Sequence, residues 1–429
     1  MTETQLASTP AGVPSTPAAA PTALPKAFHR LFAASAASSL GDGVYLAALP
    51  LLAAALTRDP FQIALVTSAA LAPWFFFGLI GGALVDRWDR RRTMWVTDLL
   101  RAGLLAVPAV AAGFHWLSVP LLIAVAFLLG TGQIFFDSAG SGYLPELLGR
   151  DLTLLEKANS RQMGSQSVAR DFVGPPAGAA LFALARALPF GLDALSFLAS
   201  SLLIRTLPPQ PVAPSAGERS LWADARSGAA FLFRDKVLLG LALRPAIGNL
   251  AFAATETVLV LFARQMLHLG SLGYGVLLTA QAVGGLLGAV LAGRLRAWMG
   301  IGAALTMTAL LEGLAEAGLG LSAGPWPALI AALSLALLGA AMAATMVLAP
   351  SVTQALVPTQ LAGRVSAARR LLALGAAPVG ALLGGWLATV DGLRAPFVVG
   401  AVLLAGTGLL SVTLTSTRRI EAALAERAH

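Results

Sequence analysis

The chain contains no cysteine, and only three of its 429 residues are lysine. The missing thiols exclude disulfide bonds, thiolate metal sites and cysteine nucleophiles. No lysine follows a glycine, so the glycine-rich loop that holds nucleotide phosphates is absent from the sequence. The four histidines are far apart, without the spacing of metal ligands. These absences argue against ATP hydrolysis by such a loop, against a metal centre and against an enzyme.

Charge is also scarce, because 12% of the residues are charged whereas soluble proteins have about 25%. Hydrophobic residues make up 57% of the chain, and the mean hydropathy is +0.77. Apolar runs long enough to cross a bilayer recur from one end to the other. The composition therefore predicts an integral membrane protein. We attribute the net charge of +8 to cytoplasmic loops and not to nucleic-acid binding.

Twelve transmembrane helices are predicted from these runs, in two groups of six separated by a long polar insert. The predicted helices cover residues 29–56, 61–84, 93–114, 118–140, 162–185, 188–207, 237–263, 272–295, 300–322, 326–350, 368–390 and 394–415. The corresponding regions are a disordered cytoplasmic tail (1–28), an N-terminal bundle (29–207), a cytoplasmic linker (208–236), a C-terminal bundle (237–415) and a second cytoplasmic tail (416–429).

The distribution of Lys and Arg predicts the orientation of the chain. With both termini on the cytoplasmic side, the cytoplasmic segments hold 22 of these residues and the opposite loops hold 4. Because positive charge concentrates in short cytoplasmic loops, we expect both termini to lie in the cytoplasm and the protein to span the inner (plasma) membrane.

The two groups of helices contain related segments. The sequence from Leu79 to Arg87 in helix 2 is similar to the sequence from Leu286 to Arg294 in helix 8. Glycine and proline also recur in the fifth helix of each group, at 174–178 and 378–385. Such repeats predict two parallel halves with a binding site between them near mid-membrane.

The loop after helix 2, from Gly81 to Arg92, carries a specific pattern. It resembles the signature loop of the major facilitator superfamily, with Asp89 in place of a glycine. The residues that fall on the pattern are Gly82, Leu84, Asp86, Arg87, Arg90 and Arg91. The resemblance implies an all-α membrane protein, with twelve transmembrane helices in two pseudo-symmetric six-helix bundles. Asp86 would satisfy the amide end of a neighbouring helix, and the glycines would let helix 2 approach its neighbour.

Four further segments narrow the resemblance to one branch of the superfamily. They are Ser39–Gly43 in helix 1, Asp98–Arg101 in helix 3, Asp193–Phe197 in helix 6 and Gly363–Ser366 before helix 11. Together they are similar to the drug–proton antiporter branch that holds the enterobactin exporter and the macrolide efflux proteins. The resemblance implies export of small, largely hydrophobic compounds in exchange for protons. It also implies a monomer that needs no cofactor beyond a proton gradient, whose partners are its substrate, protons and the lipid bilayer.

Helix 5 matches the antiporter pattern only in part. Gly174, Pro175 and Gly178 supply the core of that pattern, but Arg170 and Ala179 replace two of its glycines. The small residues permit close packing, and the proline interrupts the hydrogen-bond ladder and bends the helix. This kink is either part of the coupling mechanism or only a packing feature.

Ionisable side chains within the predicted helices are candidate functional residues, because charge at membrane depth is costly. Asp42, between two glycines at the centre of helix 1, is the first candidate for proton coupling. Asp171 and the pair Glu312 and Glu316, four residues apart on helix 9, are further candidates.

Other charged residues are assigned to the substrate cavity or to gating. Arg170, Arg244 and Glu256 are cavity candidates, although the last two, twelve apart on helix 7, are too distant to pair directly. We interpret Asp98 and Arg101 as a structural pair on one face of helix 3. Asp137, at the inner end of helix 4, is expected to meet Arg87 or Arg90 as a gate contact of the inward-closed state.

Two alternatives to an exporter remain at this stage. One is a proton-coupled uptake permease, which is disfavoured because such permeases usually have more polar cavities. The other is a sensor that uses the same scaffold without transporting. The sequence leaves open both the substrate and the coupling ion, H⁺ or Na⁺.

Overall fold

The computed structural model describes residues 24–78, 80–85, 87–114, 116–149, 151–209, 230–233, 236–357, 359–414, 417 and 419. The first six long helices are α1 (Lys26–Leu56), α2 (Pro60–Phe77), α3 (Arg90–Gly113), α4 (Val119–Leu147), α5 (Leu152–Gln166, continued by Ser167–Val173 and Gly174–Leu184) and α6 (Leu188–Arg205). The second six are α7 (Lys236–Leu261), α8 (Ser271–Met299), α9 (Ile301–Gly320), α10 (Pro327–Leu356), α11 (Thr359–Asp391) and α12 (Ala395–Leu414).

Ten of these helices are long and apolar enough to cross a membrane, judged by length and composition. The other two are α5, which begins with a polar segment, and α9, which has 20 residues but carries two glutamates. Both pack within the same array as the ten apolar helices, so the twelve-helix architecture is as predicted.

Several helices are longer than predicted at one end. Helix α4 continues to Leu147 and α5 begins at Leu152, so the polar stretch expected to form a loop is mostly helical. Asp151 caps α5 by accepting a 3.1 Å hydrogen bond from the amide of Leu154. Polar residues lowered the hydropathy there, but a helix can extend beyond the bilayer, where its polar side chains meet water.

Helix α2 is shorter than predicted. It ends at Phe77, and a separate short helix, Ile80–Val85, follows. Asp89, which replaces the glycine of the loop pattern, accepts a 2.9 Å hydrogen bond from the amide of Arg92 and so caps α3.

The two sets of six helices pack in the same manner. Helix α1 packs on α5 and α6, as α7 packs on α11 and α12, and α2 packs on α4 as α8 packs on α10. Glycines bring these helices together at matching places. A Cβ atom at Gly288 of α8 would lie 2.0 Å from the carbonyl oxygen of Ala340, and one at Gly384 of α11 would lie 2.1 Å from that of Ala254.

The halves meet mainly through α2 against α11 and α5 against α8. We call the end of the bundle with the α1–α2 and α7–α8 turns the far end, and the other the linker end. At the far end one hydrophobic core joins both halves and includes Leu52, Phe182, Phe262 and Tyr274. At the linker end each half has its own core. This conformer is therefore closed at the far end.

Parts of the predicted tails and linker lie outside the described residues, namely 1–23, 210–229, 234–235 and most of the segment after 414. The tail predicted over 1–28 is too long, because α1 begins at Lys26 and both Leu24 and Phe28 are buried. In the linker, Leu232 is 1% exposed and packs in the core of the second half.

Candidate functional site

Arg101 is the centre of a polar cluster in the first half of the molecule. Its side chain comes from α3 and is 3% exposed. Its Nη2 atom donates to Asp42 Oδ1 of α1 at 2.8 Å and to Gln133 Oε1 of α4 at 2.5 Å. One guanidinium thus ties three helices together at Asp42, the first candidate for proton coupling.

Asp98 is a second carboxylate on the same guanidinium. Its Oδ1 atom lies 3.4 Å from Nη1 of Arg101, one turn away on α3. Its Oδ2 atom accepts a 2.6 Å hydrogen bond from the hydroxyl of Ser200 on α6. The ring of Phe197 stacks below the guanidinium at 3.7 Å, a cation–π contact that adds to the stabilisation of the buried charge.

Asp193 of α6 adds a third buried carboxyl group and is 1% exposed. A Cβ atom at Gly41 of α1 would lie 2.0 Å from Asp193 Oδ1 and 2.3 Å from the hydroxyl of Ser196. A larger residue at position 41 would therefore displace the side chains of Asp193 and Ser196. Three segments that the sequence singled out separately, around Asp42, Asp98 and Asp193, meet in this cluster.

Two cavities border the cluster, and Asp42 and Gln133 line both of them. The larger cavity, of about 320 Å³, lies between α1, α4 and α5 on the linker-end side. Its lining mixes apolar side chains with hydroxyl and amide groups, among them Ser35, Ser38, Asn159 and Gln162. The smaller, of about 160 Å³, is lined by Tyr45, Trp74, Arg101 and Arg170 among others. With a side chain 17% exposed, Asp42 is the accessible partner of Arg101.

Helix α5 contains a π-helical turn, Ser167–Val173, directly before Gly174. Pro175 has no N–H group for the regular hydrogen-bond ladder, and the amide of Gly174 donates to the carbonyl of Ala169, five residues back. The kinked helix lies against α1, where Cβ atoms at Gly174 and Gly178 would come within 2.5 Å of the backbone of Gly43 and Val44.

Arg170 and Asp171 lie in this π-helical turn and are both exposed. Arg170 lines the smaller cavity. Asp171 lines neither of the two cavities described above, and within the described residues it has no hydrogen-bond or ion-pair partner. Of these two candidates, Arg170 therefore reaches a cavity beside the cluster and Asp171 does not.

A second polar cluster lies in the other half and uses the equivalent helices. Arg244 of α7 donates to Thr308 of α9 and Thr345 of α10, each at 2.8 Å. Its Nη2 atom lies 3.3 Å from Glu312 Oε1, and both side chains are buried. In both halves an ion pair joins the first and third helices, and a hydrogen bond from the arginine adds the fourth. The arginine lies on the third helix of the first half but on the first helix of the second half.

Glu316 does not pair with Glu312, although the two are four residues apart. Its Oε1 atom accepts a 3.0 Å hydrogen bond from Thr255 of α7, and its Oε2 atom is buried without a hydrogen-bond partner among the described residues. Glu256, the cavity candidate next to Thr255, is half-buried and has no hydrogen-bond or ion-pair partner in the described part of the chain. Arg244 and Glu256 are not joined, in agreement with their separation in sequence.

The predicted gate contact of Asp137 is not found in this conformer. Asp137 accepts a 2.9 Å hydrogen bond from Gln133 on its own helix. Arg90 forms its ion pair with Glu146, and Arg87 is exposed. Because α4 is longer than expected, Glu146 reaches the start of α3 in this conformer. The contact of Asp137 was predicted for the inward-closed state, whereas this conformer is closed at the far end, so the contact stays a prediction.

The rest of the signature loop is only partly described. Arg91 donates to the carbonyl of Leu207 after α6 at 2.7 Å, and Asp86 lies outside the described residues. Gly81 makes the expected close approach, since a Cβ atom there would lie 2.9 Å from Ile134 of α4, but Gly82 has no neighbour within 4 Å.

The sequence does not indicate the pairing of Asp42 with Arg101. The spacing of three residues indicates only the pairing of Arg101 with Asp98, and not the contacts of Gln133 and Phe197 with Arg101 or of Ser200 with Asp98. The spacing of Gln133 and Asp137, four residues apart within an apolar helix, is a pattern that could have indicated a polar face on α4.

The fold is that of a two-bundle membrane transporter. It is similar to the crystal structure of a bacterial homologue of the iron transporter ferroportin in its inward-facing state, with a TM-score of 0.74 and 14% identity over 91% of this chain and 99% of that one. A likeness at this identity concerns the fold alone.

The family model described as transmembrane secretion effector matches residues 16–429. The chain belongs to this family of major facilitators and is a multi-pass membrane protein. It is similar to the multidrug efflux pump Tap of Mycolicibacterium fortuitum, at 29% identity over 92% of this chain and 96% of that protein. It is also similar to the enterobactin exporter EntS of Citrobacter koseri, at 27% identity over 92% and 93%. The family and these relatives are transporters.

Proposed function

We propose that the protein exports small compounds across the plasma membrane in exchange for protons, and that Asp42 is the proton-exchanging group. The observation that carries this proposal is the Asp42–Arg101 ion pair on the wall shared by the two cavities. An ionised carboxylate within a membrane is costly unless a positive charge balances it. Arg101 supplies that charge in the conformer described here.

In this mechanism Asp42 either carries a proton or forms the ion pair with Arg101. Arginine stays protonated in proteins, so a proton that binds to Asp42 neutralises the carboxylate and releases it from Arg101. Asp42 gives up its proton to the cytoplasm before a compound enters the larger cavity, where the carboxylate and Gln133 can make hydrogen bonds to it. After the two bundles change their relative orientation, a proton from the opposite side binds to Asp42 and favours release of the compound there, so the proton and the compound cross the membrane in opposite directions.

The linker end is the cytoplasmic end in this proposal. The asymmetry of Lys and Arg supports this orientation, with both termini in the cytoplasm. The conformer closed at the far end would then be open towards the cytoplasm, where an exporter takes up its substrate. The larger cavity, about 320 Å³ in volume, is within the range of small-molecule sites.

The relatives support export over uptake, because the names of both describe outward transport. Apolar side chains such as Met94 and Phe136 lie beside hydroxyl and amide groups in the larger cavity, a combination suited to amphiphilic compounds. We propose a monomeric transporter, not an enzyme, that uses the proton gradient and no cofactor. An uptake permease or a non-transporting sensor would predict other outcomes in the experiment below.

The test uses inside-out vesicles that contain the protein and have an acidic interior. A panel of lipophilic cations, macrolides and siderophores is added, and loss of the pH gradient is recorded by a fluorescent dye. We expect at least one compound to dissipate the gradient with the wild-type protein. The Asp42→Asn variant should bind the same compound without dissipation, because an amide cannot exchange the proton.

Each other outcome counts against part of the proposal. Dissipation that persists in Asp42→Asn would move the proton site to Asp171 or to Glu312 and Glu316. Binding without dissipation for every compound would contradict proton antiport and favour the sensor. Transport of the compound only in the direction opposite to export would favour the uptake permease.

A further inference from the structure

The guanidinium of Arg101 contacts two carboxylates that differ in their access to water. The side chain of Asp42 is 17% exposed and that of Asp98 is 0% exposed. Both oxygens of Asp98 accept hydrogen bonds, one from Arg101 and one from Ser200. Asp42 can therefore exchange protons with the cavities, whereas Asp98 is enclosed and is held in place from two sides.

We propose that Asp98 is a second counter-ion of Arg101, and that its negative charge sets how readily Asp42 takes up a proton. This inference rests on the proposed function, in which Asp42 is the proton-exchanging group. It assigns Asp98 a positioning role in coupling, beyond its structural pairing with Arg101 on one face of α3.

The physical reason is charge balance within the membrane. If Asp42 were the sole counter-ion, a proton on Asp42 would leave Arg101 uncompensated, and that state would be strongly disfavoured. With Asp98 at 3.4 Å, the guanidinium keeps a partner when the proton binds.

The remaining polar groups around the cluster are unchanged when Asp98 alone is replaced. These groups come from the helices packed around the cluster. They are Tyr45 of α1, Gln133 and Asp137 of α4, Arg170 of α5, and Asp193 and Ser196 of α6. A shift seen on replacing Asp98 therefore reports its own charge. Asp193 forms no ion pair with Arg101 within the described residues, so the role falls to Asp98.

The experiment measures protonation of Asp42 directly and needs no identified substrate. Dicyclohexylcarbodiimide reacts with protonated carboxyl groups in apolar surroundings. The purified full-length protein in nanodiscs is treated with it from pH 5 to pH 9, and the modified fraction of Asp42 is measured by peptide mass spectrometry. For the wild type we expect labelling that falls as the pH rises through a midpoint.

In Asp98→Asn the midpoint should move to lower pH by about one unit or more, the usual effect of a neighbouring charge. Asp98→Glu keeps the charge and should restore the wild-type midpoint. Ser201→Ala removes a neighbouring α3–α6 hydrogen bond, from the Ser201 hydroxyl to the carbonyl of Trp95 at 2.8 Å, and touches neither carboxylate, so its midpoint should stay near that of the wild type. If Asp98→Asn does not fold, Asp98→Ser removes the charge with a smaller side chain.

An unchanged midpoint in the variants that lack the charge would overturn the inference. So would an equal shift in Ser201→Ala, which would indicate a packing effect between α3 and α6. A wild-type protein whose Asp42 shows no pH-dependent labelling would instead count against the proposed function. The two failures are thus distinguishable.

Discussion

At the scale of single residues, each half of the molecule buries one arginine against carboxylate and hydroxyl groups. Arg101 has two carboxylate partners, of which Asp42 reaches the cavities. Arg244 has one, Glu312, and the pair is buried among threonines. The first cluster suits proton exchange, while the second, with its enclosed single pair, suits a structural role in the C-terminal bundle.

This difference leads to a prediction about stability. Arg244→Gln leaves Glu312 buried without a counter-charge and should lower the stability by about 3–5 kcal/mol. The double variant Arg244→Met with Glu312→Leu removes both charges and should be more stable than the single variant. Thermal unfolding in detergent, followed by tryptophan fluorescence, would measure both. Equal melting temperatures for the wild type and Arg244→Gln would contradict the prediction.

The candidate site could be predicted from the sequence only residue by residue. Asp42 was identified because charge is rare in apolar helices, and the segments around Asp98 and Asp193 were identified by resemblance. Their convergence on Arg101 depends on how α1, α3, α4 and α6 pack, and residues on different helices have no spacing that reveals it. The ion pair of Arg90 with Glu146 was unforeseen for a related reason, since composition does not determine where a helix ends beyond the bilayer.

At the scale of helices, close contact between α1 and α5 determines the position of Asp42. The π-helical turn of α5 and the following proline lie against α1 at Gly43, next to Asp42. A Cβ atom at Gly43 would lie 2.3 Å from the carbonyl oxygen of Arg170. Backbone atoms cannot move away as a flexible side chain can, so any side chain at this position must separate the helices.

Gly43→Ala should therefore destabilise the protein by about 1–3 kcal/mol through overpacking. Gly103→Ala on α3 is the matched control, because a Cβ atom there meets nothing within 4 Å. It should leave the stability unchanged or raise it by up to about 1 kcal/mol, since alanine favours helices. Melting temperatures in detergent would compare both variants with the wild type. A Gly43→Ala variant as stable as the wild type would show that α1 and α5 are packed less closely than described.

At the scale of the whole molecule, the sequence was sufficient to predict twelve helices in two related halves. It could not indicate the conformer, because the same helices can close at either end. The structure has one shared core at the far end and separate cores at the linker end. This arrangement predicts which side chains are reached from each side of the membrane.

The absence of cysteine in the chain makes every introduced thiol unique. Ser141, exposed in the larger cavity, and Thr257, 2% exposed at the far end, are both small hydroxyl residues suited to replacement. In the proposed orientation the linker end faces the reagent in inside-out vesicles, so a membrane-impermeant maleimide should label Ser141→Cys there and should not label it in whole cells. Thr257→Cys should resist labelling from both sides, because the shared core covers it. Labelling of Ser141→Cys only in whole cells would reverse the orientation, and rapid labelling of Thr257→Cys in whole cells would mean that the resting protein is open at the far end.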